Sequence, residues 1–395
     1  MRETMRVLVY GDIGGSGGYL RYCRGLFAGG HVPDDIEMLF VCSSSFAEKT
    51  GPFDERVNVY AHPWPESPSR LHRALWHTSL YPAIAGRWRP DVEMYPTGRI
   101  RAFMRNPVAV AVCQNLLVFD DAEMARYRGT DQYETLMGYR AAQVESYRRA
   151  SAMIFTSSWS EQVVSRFAAG WRRSAIVPLA ADSCFREPVD RSYRLGDTVK
   201  VLYVSPVFYY KHQVEVVDAL KAVRERTGLD LRLRLVGGGE ESPLSELRAH
   251  IRAVGAESWV ELVGHCDTEQ VLAEYRSADL FVFASACESF GITVLEAAGM
   301  GLPIACSDAS GLPDLLGDSA VYFDPRDPAS LVSALLQLLA SEDTRRRLGE
   351  TARSRALTYT WRRCADGTFD LLREVRARER QGTSPATAER VPDVL

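Results

Sequence analysis

The stretch Asp279–Pro325, DLFVFASACESFGITVLEAAGMGLPIACSDASGLPDLLGDSAVYFDP, reads as strand, loop, helix, strand. Asp279–Ala284 is a short apolar run of the length of a buried parallel strand. Ser285–Gly291 is small and polar, hence a loop. From Ile292 onward, apolar or small residues recur at helical spacing (Ile292, Leu295, Ala298, Gly299), and Gly301 followed by Pro303 stops the helix. Leu302–Cys306 is the next strand.

Two acids stand in this unit, Glu288 in the loop and Glu296 in the second turn of the helix. On one continuous helix they would lie roughly 12 Å apart along the axis. A loop folding back over the helix start brings both toward one cavity. The backbone N–H groups of Phe290, Gly291, Ile292 and Thr293 are the donors that a helix start leaves unpaired, a ready site for phosphate. A phosphate cradle with a carboxylate on each side suits a nucleotide-sugar, the amides holding the diphosphate and the acids binding hydroxyl groups.

Moving outward, Val199–Ser205 opens a βα series, with Lys211 after it and a helix from His212 to about Thr227. Only four of the 47 basic residues are lysine (Lys49, Lys200, Lys211, Lys221). In a chain that otherwise uses arginine, Lys211 indicates a place for a compact ammonium on a flexible stem. Asp230–Val236 alternates as a half-buried strand and leads to the glycine turn Gly237–Gly239, while Trp259–Val263 leads to Gly264-His265. The chain begins similarly, with a strand Met5–Tyr10, a glycine-rich loop Gly11–Gly18 and a helix from Tyr19, the opening of a doubly wound α/β domain. The glycines do not follow G-x-G-x-x-G, so a dinucleotide site is not indicated. Pro107–Gln114 is unbroken and apolar, a central strand that releases Gln114 and Asn115 at its C-terminal end, where α/β sheets bind ligands. Arg70–Trp88 is helical, with Pro82 expected to kink or break it. His62 ends a strand in a loop where a site is conceivable, whereas His72 and His77 read as surface or packing residues.

Glu288-x7-Glu296 within E-S-F-G-I-T-x-L-E-A, followed by Gly301-Leu302-Pro303-Ile304-Ala305 and Gly311-Leu312-Pro313-Asp314-Leu315, resembles the family-4 retaining glycosyltransferases of the GT-B fold. The resemblance extends to Gly17-Gly18-Tyr19-Leu20-Arg21-Tyr22, similar to the family's G-G-x-x-R-Y, and it is strongest from about residue 199 to 325. It implies an α/β protein of two Rossmann-like domains facing each other across a cleft: 1–185 on the acceptor side, 186–360 holding the nucleotide-sugar donor, a helix over 361–380 crossing back to the first domain, and a disordered tail over 381–395. By the same resemblance, Lys211, the Phe290–Thr293 amides, Gly17 and Gly18 face the donor diphosphate, and Ser205 and His265 border the donor. Glu296 would hold the ribose and Glu288 would act at the sugar. Two departures stand out. Ser205-Pro206 replaces the family's Gly-Arg, leaving a cation that Arg21 or Arg99 would have to supply. Gln114-Asn115 stands where members often carry a histidine, and is read as a sugar or acceptor contact through hydrogen bonds.

Composition sets the outer bounds. At 395 residues the chain exceeds one comfortable core. Hydrophobic content of 46% and charged content of 25% are ordinary for a soluble protein. The net charge is −4, with neither half strongly basic, which excludes nucleic acid as an expected partner. Eight cysteines without a C-x-x-C pair read as reduced residues rather than a zinc site or disulfide framework. With no membrane-length apolar run and no cleavable signal pattern, the expectation is a cytoplasmic protein with at most transient membrane contact. No D-x-D stands in a suitable loop, so no metal or other cofactor is expected. The sequence thus favours glycosyl transfer from a nucleotide-sugar to a hydroxyl acceptor. A sugar-nucleotide epimerase, a phosphorylase and a nucleotide-binding relative without catalysis are the alternatives.

Overall fold

The computed structural model describes residues 4–11, 18–100, 108–187 and 189–381. The chain divides into two compact units. One takes Met1–Phe119, Glu134–Ala180 and Thr360–Leu395, the other Asp120–Tyr133 and Ala181–Tyr359. Each is built on one parallel sheet.

The first sheet contains β1 (Met5–Tyr10), β2 (Ile36–Ser43), β3 (Val57–His62), β4 (Val92–Tyr95), β5 (Ala109–Cys113), β6 (Ala152–Phe155) and β7 (Arg173–Ile176), in the order β3-β2-β1-β4-β5-β6-β7. All its pairings are parallel. Every residue of β4, β5 and β6 is buried, as expected for strands covered on both faces. The edge strand β3 is largely exposed. The second sheet contains β8 (Thr198–Val204), β9 (Asp230–Val236), β10 (Val260–Gly264), β11 (Leu280–Phe283), β12 (Ile304–Ser307) and β13 (Val321–Phe323), in the order β10-β9-β8-β11-β12-β13. It too is parallel throughout.

The segment around Pro82 runs as helix Arg70–Leu75, a π turn Trp76–Leu80, then helix Tyr81–Trp88 with Pro82 in its first turn. The wider π turn lets the Tyr81 N–H donate to Trp76 O, so the chain absorbs a residue without the ordinary i−4 pairing next to proline instead of breaking. The helix Trp361–Arg380 starts at Thr360, whose hydroxyl accepts the Arg363 N–H at 3.2 Å, and it packs on the first unit. There the Tyr22 and Thr368 hydroxyls lie 3.1 Å apart, and Arg373 holds Asp35 in a fork at 2.6 and 3.0 Å. Asp120–Tyr133 packs with the second unit, an excursion that a single boundary at residue 185 does not contain.

Candidate functional site

In open α/β sheets, ligands bind beyond the carboxyl ends of the strands where neighbouring strands send their connections to opposite sides. In the second sheet that point lies between β8 and β11, since β9 and β12 flank them on opposite sides. The loops leaving these two strands bring Lys211 and Glu288 together. The Lys211 ammonium donates to Glu288 Oε1 and lies 4.8 Å from the Tyr210 ring centroid and 5.4 Å from that of Phe283. Lys211 is only 7% exposed. Glu288 is the one hydrogen-bond acceptor its ammonium meets among the described residues, and an ammonium has three donors, so the group can serve an anion as well.

The loop carrying Glu288 is tied down on both sides. Ala286 N–H donates to Tyr210 O at 2.9 Å, and Glu288 N–H donates to Ser310 Oγ at 2.9 Å. Ser310 in turn donates to Ala286 O. Gly291 precedes the helix Ile292–Gly299 with φ 102°, and a Cβ there would stand 2.7 Å from Leu312 Cδ2, so both the backbone and the space require glycine. On either side of it, the N–H groups of Phe290, Ile292 and Thr293 find no acceptor among the described residues. These amides begin two residues after Glu288, so the loop offers a carboxylate and helix-start donors in succession. Glu296 is 0% exposed, with the Tyr275 hydroxyl 3.0 Å from its Oε2 and 3.0 Å from Thr293 O. The two acids therefore keep separate neighbours, Glu288 beside Lys211 and Glu296 against Tyr275.

Ser205 is buried and accepts from Gln213 Nε2 at 3.2 Å, and the same amide donates to Pro206 O at 3.0 Å, so the Ser-Pro pair is held by a side chain from the following helix. His265 is exposed just after β10. In the first unit, Gly18 begins the helix Gly18–Phe27, whereas Gly17 lies outside the described residues. Gln114 Nε2 donates to Pro96 O at 3.2 Å, and Asn115 Oδ1 accepts the Leu117 N–H at 3.1 Å in a turn at the end of β5. Arg99 lies over the Tyr139 ring at 5.4 Å. The rings of His62 and His72 are held locally, by Trp64 N–H at 3.2 Å and Ser67 Oγ at 2.9 Å, and His77 lies 3.3 Å from the Tyr10 hydroxyl.

The family described as Glycosyl transferases group 1 matches residues 186–355, the stretch that carries this geometry. Over those residues the chain is similar to the group 1 glycosyl transferases. It is 27% identical to the O-antigen chain mannosyltransferase B of Escherichia coli over 199 residues, 50% of this chain and 51% of that protein. The alignment thus spans about half the length of this relative. With the glycogen synthase of Mycobacterium tuberculosis the identity is 28% over 307 residues, 74% of this chain and 71% of that one. Among solved structures, sucrose-phosphate synthase from Thermosynechococcus elongatus has a TM-score of 0.72 at 19% identity, covering 95% of this chain and 100% of that one. Anabaena HepE, solved in complex with UDP and glucose, has a TM-score of 0.71 at 16% identity, covering 93% and 99%. These likenesses show the GT-B fold. Among the described residues, no helix is long and apolar enough to cross a membrane.

The second unit contains a cluster that sequence patterns do not reveal. Next to Lys211, His212 is buried, its Nδ1 3.0 Å from Glu215 Oε1 and its Nε2 3.6 Å from Glu123 Oε2. Arg126 Nη2 donates to Glu215 at 3.2 Å and Arg326 Nη2 to Glu123 at 2.6 Å. Burial alone would lower the His212 pKa, but the two carboxylates outweigh it and raise it. Burial opposes ionisation of Glu215 as well, yet His212 and Arg126 bring its pKa down to about 2. A depressed carboxylate stabilises the fold above its unfolded value, 4.5, and loses that contribution as pH falls toward 2. The raised histidine contributes fully below 6.5 and loses its contribution as pH rises through the folded value. Unfolding followed from pH 2 to 9 should therefore show both limbs, with Glu215→Gln flattening the acid limb. An unchanged acid limb in that variant would refute the ionised pairing.

Proposed function

We propose that the protein transfers a glycosyl group, with retention, from a nucleoside-diphosphate sugar to a hydroxyl acceptor on a glycan, a lipid-linked glycan or a natural-product aglycone. The observation that carries this reading is the Lys211–Glu288 pair at the switch point of the second sheet, with the helix-start amides beginning two residues after Glu288. Lys211 and the amides of Phe290, Ile292 and Thr293 hold the diphosphate and stabilise the charge that develops as it leaves, the kind of preorganised interaction that commonly lowers a barrier most. Glu288 orients the sugar hydroxyls and stabilises positive charge near the anomeric carbon. Glu296 meets the ribose once Tyr275 shifts from it. The leaving phosphate takes the acceptor proton on the same face, so no carboxylate nucleophile is needed, unlike in many glycosidases. The diphosphate is held by the Lys211 ammonium and backbone amides, with no metal required. The first unit takes the acceptor, with Gln114 and Asn115 at the end of β5 as contacts. The free cysteines fit work in the cytoplasm.

The test is a thermal-shift panel of UDP, GDP, dTDP, ADP and CDP, with and without magnesium, followed by turnover assays on Glu288→Gln. A ligand at 100 times its Kd stabilises the fold by about 2.7 kcal/mol. The expected result is a shift with one base, independent of magnesium. Glu288→Gln should retain that shift, because losing the carboxylate charge frees Lys211 for phosphate, while turnover falls at least about 10²-fold. The absence of any nucleotide shift would overturn the diphosphate site. A nucleotide shift with no transfer to any acceptor would leave a binding protein.

A further inference from the structure

Lys211 reaches Glu288 from the end of the short 3-10 turn Tyr209–Lys211, and the residue that turns the chain into the next helix is His212. Its backbone is left-handed, φ 54° and ψ 36°. That conformation is strained for an L side chain, whereas glycine adopts it freely. Yet the position carries an imidazole whose side chain is 1% exposed. The ring faces two carboxylates: Glu215, three residues on in its own helix, at a hydrogen-bond distance of 3.0 Å, and Glu123, from the Asp120–Tyr133 excursion and 2% exposed, at an ion-pair distance of 3.6 Å. Each carboxylate is backed by an arginine, Arg126 on Glu215 and Arg326 on Glu123, and Arg126 Nη1 also lies 3.3 and 3.4 Å from the two ring nitrogens. The turn is closed on its other side by the Tyr203 hydroxyl, which donates to Lys211 O at 2.5 Å. If only backbone freedom mattered here, glycine would serve better than a strained residue with two buried ionic partners.

We propose that His212 is a positioning residue: the Glu123–His212–Glu215 clamp fixes the left-handed turn and so aims the Lys211 ammonium at the donor diphosphate. The inference rests on the transferase reading for its catalytic consequence, but not for its structural content. An imidazolium carries an N–H toward each carboxylate, and their attraction outweighs the like charge of Arg126, so the clamp is tightest when the ring is charged. The charged groups facing it are Glu123 and Arg126 from the excursion and Glu215 from its own helix. Arg326 stands behind Glu123, and the Lys211–Glu288 pair is adjacent.

The experiment compares wild type with His212→Gly, which removes the strain and the clamp together, and with Glu123→Gln, which keeps the side-chain shape and removes one charge. The first readout is acetylation of Lys211 relative to the exposed Lys200, followed by mass spectrometry, and it requires no enzymatic activity. In His212→Gly, Lys211 should label at least about tenfold faster relative to Lys200, because local opening of the turn becomes easier. Glu123→Gln should move it in the same direction by a smaller factor, which decides the matter should His212→Gly fail to fold. The second readout is transfer. kcat in His212→Gly should fall by about tenfold or more with acceptor KM unchanged. The decline of wild-type kcat as pH rises through the His212 titration should disappear in that variant. Equal Lys211 labelling in wild type and both variants would overturn the clamp. A wild type without transferase activity would refute the parent reading, while the labelling would still decide the clamp.

Discussion

Lys211→Met is expected to lower turnover by about 10²–10³-fold, the usual consequence of removing one donor from a site that stabilises developing negative charge. It should also destabilise the protein by up to about 3–5 kcal/mol, since Glu288 would remain charged and largely enclosed, its side chain 15% exposed, without its cation. The two effects separate in the double variant Lys211→Met/Glu288→Gln. Neutralising the carboxylate removes the stranded charge, so urea unfolding should return most of the lost stability, while turnover stays low because the diphosphate has lost its ammonium. The cycle of single and double variants thus assigns stability to the pair and catalysis to the lysine. Turnover in Lys211→Met within about threefold of wild type would mean that another group neutralises the diphosphate.

This division explains what could be read from the sequence. β11 and β5 are apolar because both of their faces are covered, and a short unbroken apolar run shows that directly. Lys211 and Glu288 stand out for similar reasons, one as a rare residue type in an arginine-rich chain, the other by its spacing from a helix start. The partners of His212 leave no such trace. Glu123 and Arg326 are separated from it by long stretches of chain, and ion pairs across that separation impose no periodicity. The burial of Glu296 was equally hidden, because its position in the helix is local information while Tyr275 comes from the preceding helix. The π turn before Pro82 belongs to the same class: the proline was visible, and the way the chain accommodates it depends on how Trp76 and Tyr81 pack.

The second large effect is expected at the docking of the last helix. Gly25 lies in the helix Gly18–Phe27, and a Cβ added there would fall 2.1 Å from Trp361 Cδ2 and 2.2 Å from Cε3, in the fused middle of the indole. These atoms are not the free end of a flexible chain, so the whole ring must move and the helix Trp361–Arg380 must move with it. Gly25→Ala should therefore destabilise the first unit by about 1–3 kcal/mol, the cost of overpacking. It should do so even though alanine is better than glycine inside a helix by roughly 0.5–1 kcal/mol. Trp361→Ala alone loses packing, but in Gly25→Ala/Trp361→Ala the new methyl group has room. The double variant should then be more stable than the sum of the singles predicts, by about 1 kcal/mol or more. Amide exchange in 361–380 should rise in Gly25→Ala ahead of exchange in β4 and β5, because Arg373–Asp35 and Tyr22–Thr368 depend on the same seating. If Gly25→Ala were as stable as wild type with unaltered exchange, the ring would not occupy the groove over Gly25, and the ion pairs along the helix would have to be what holds it.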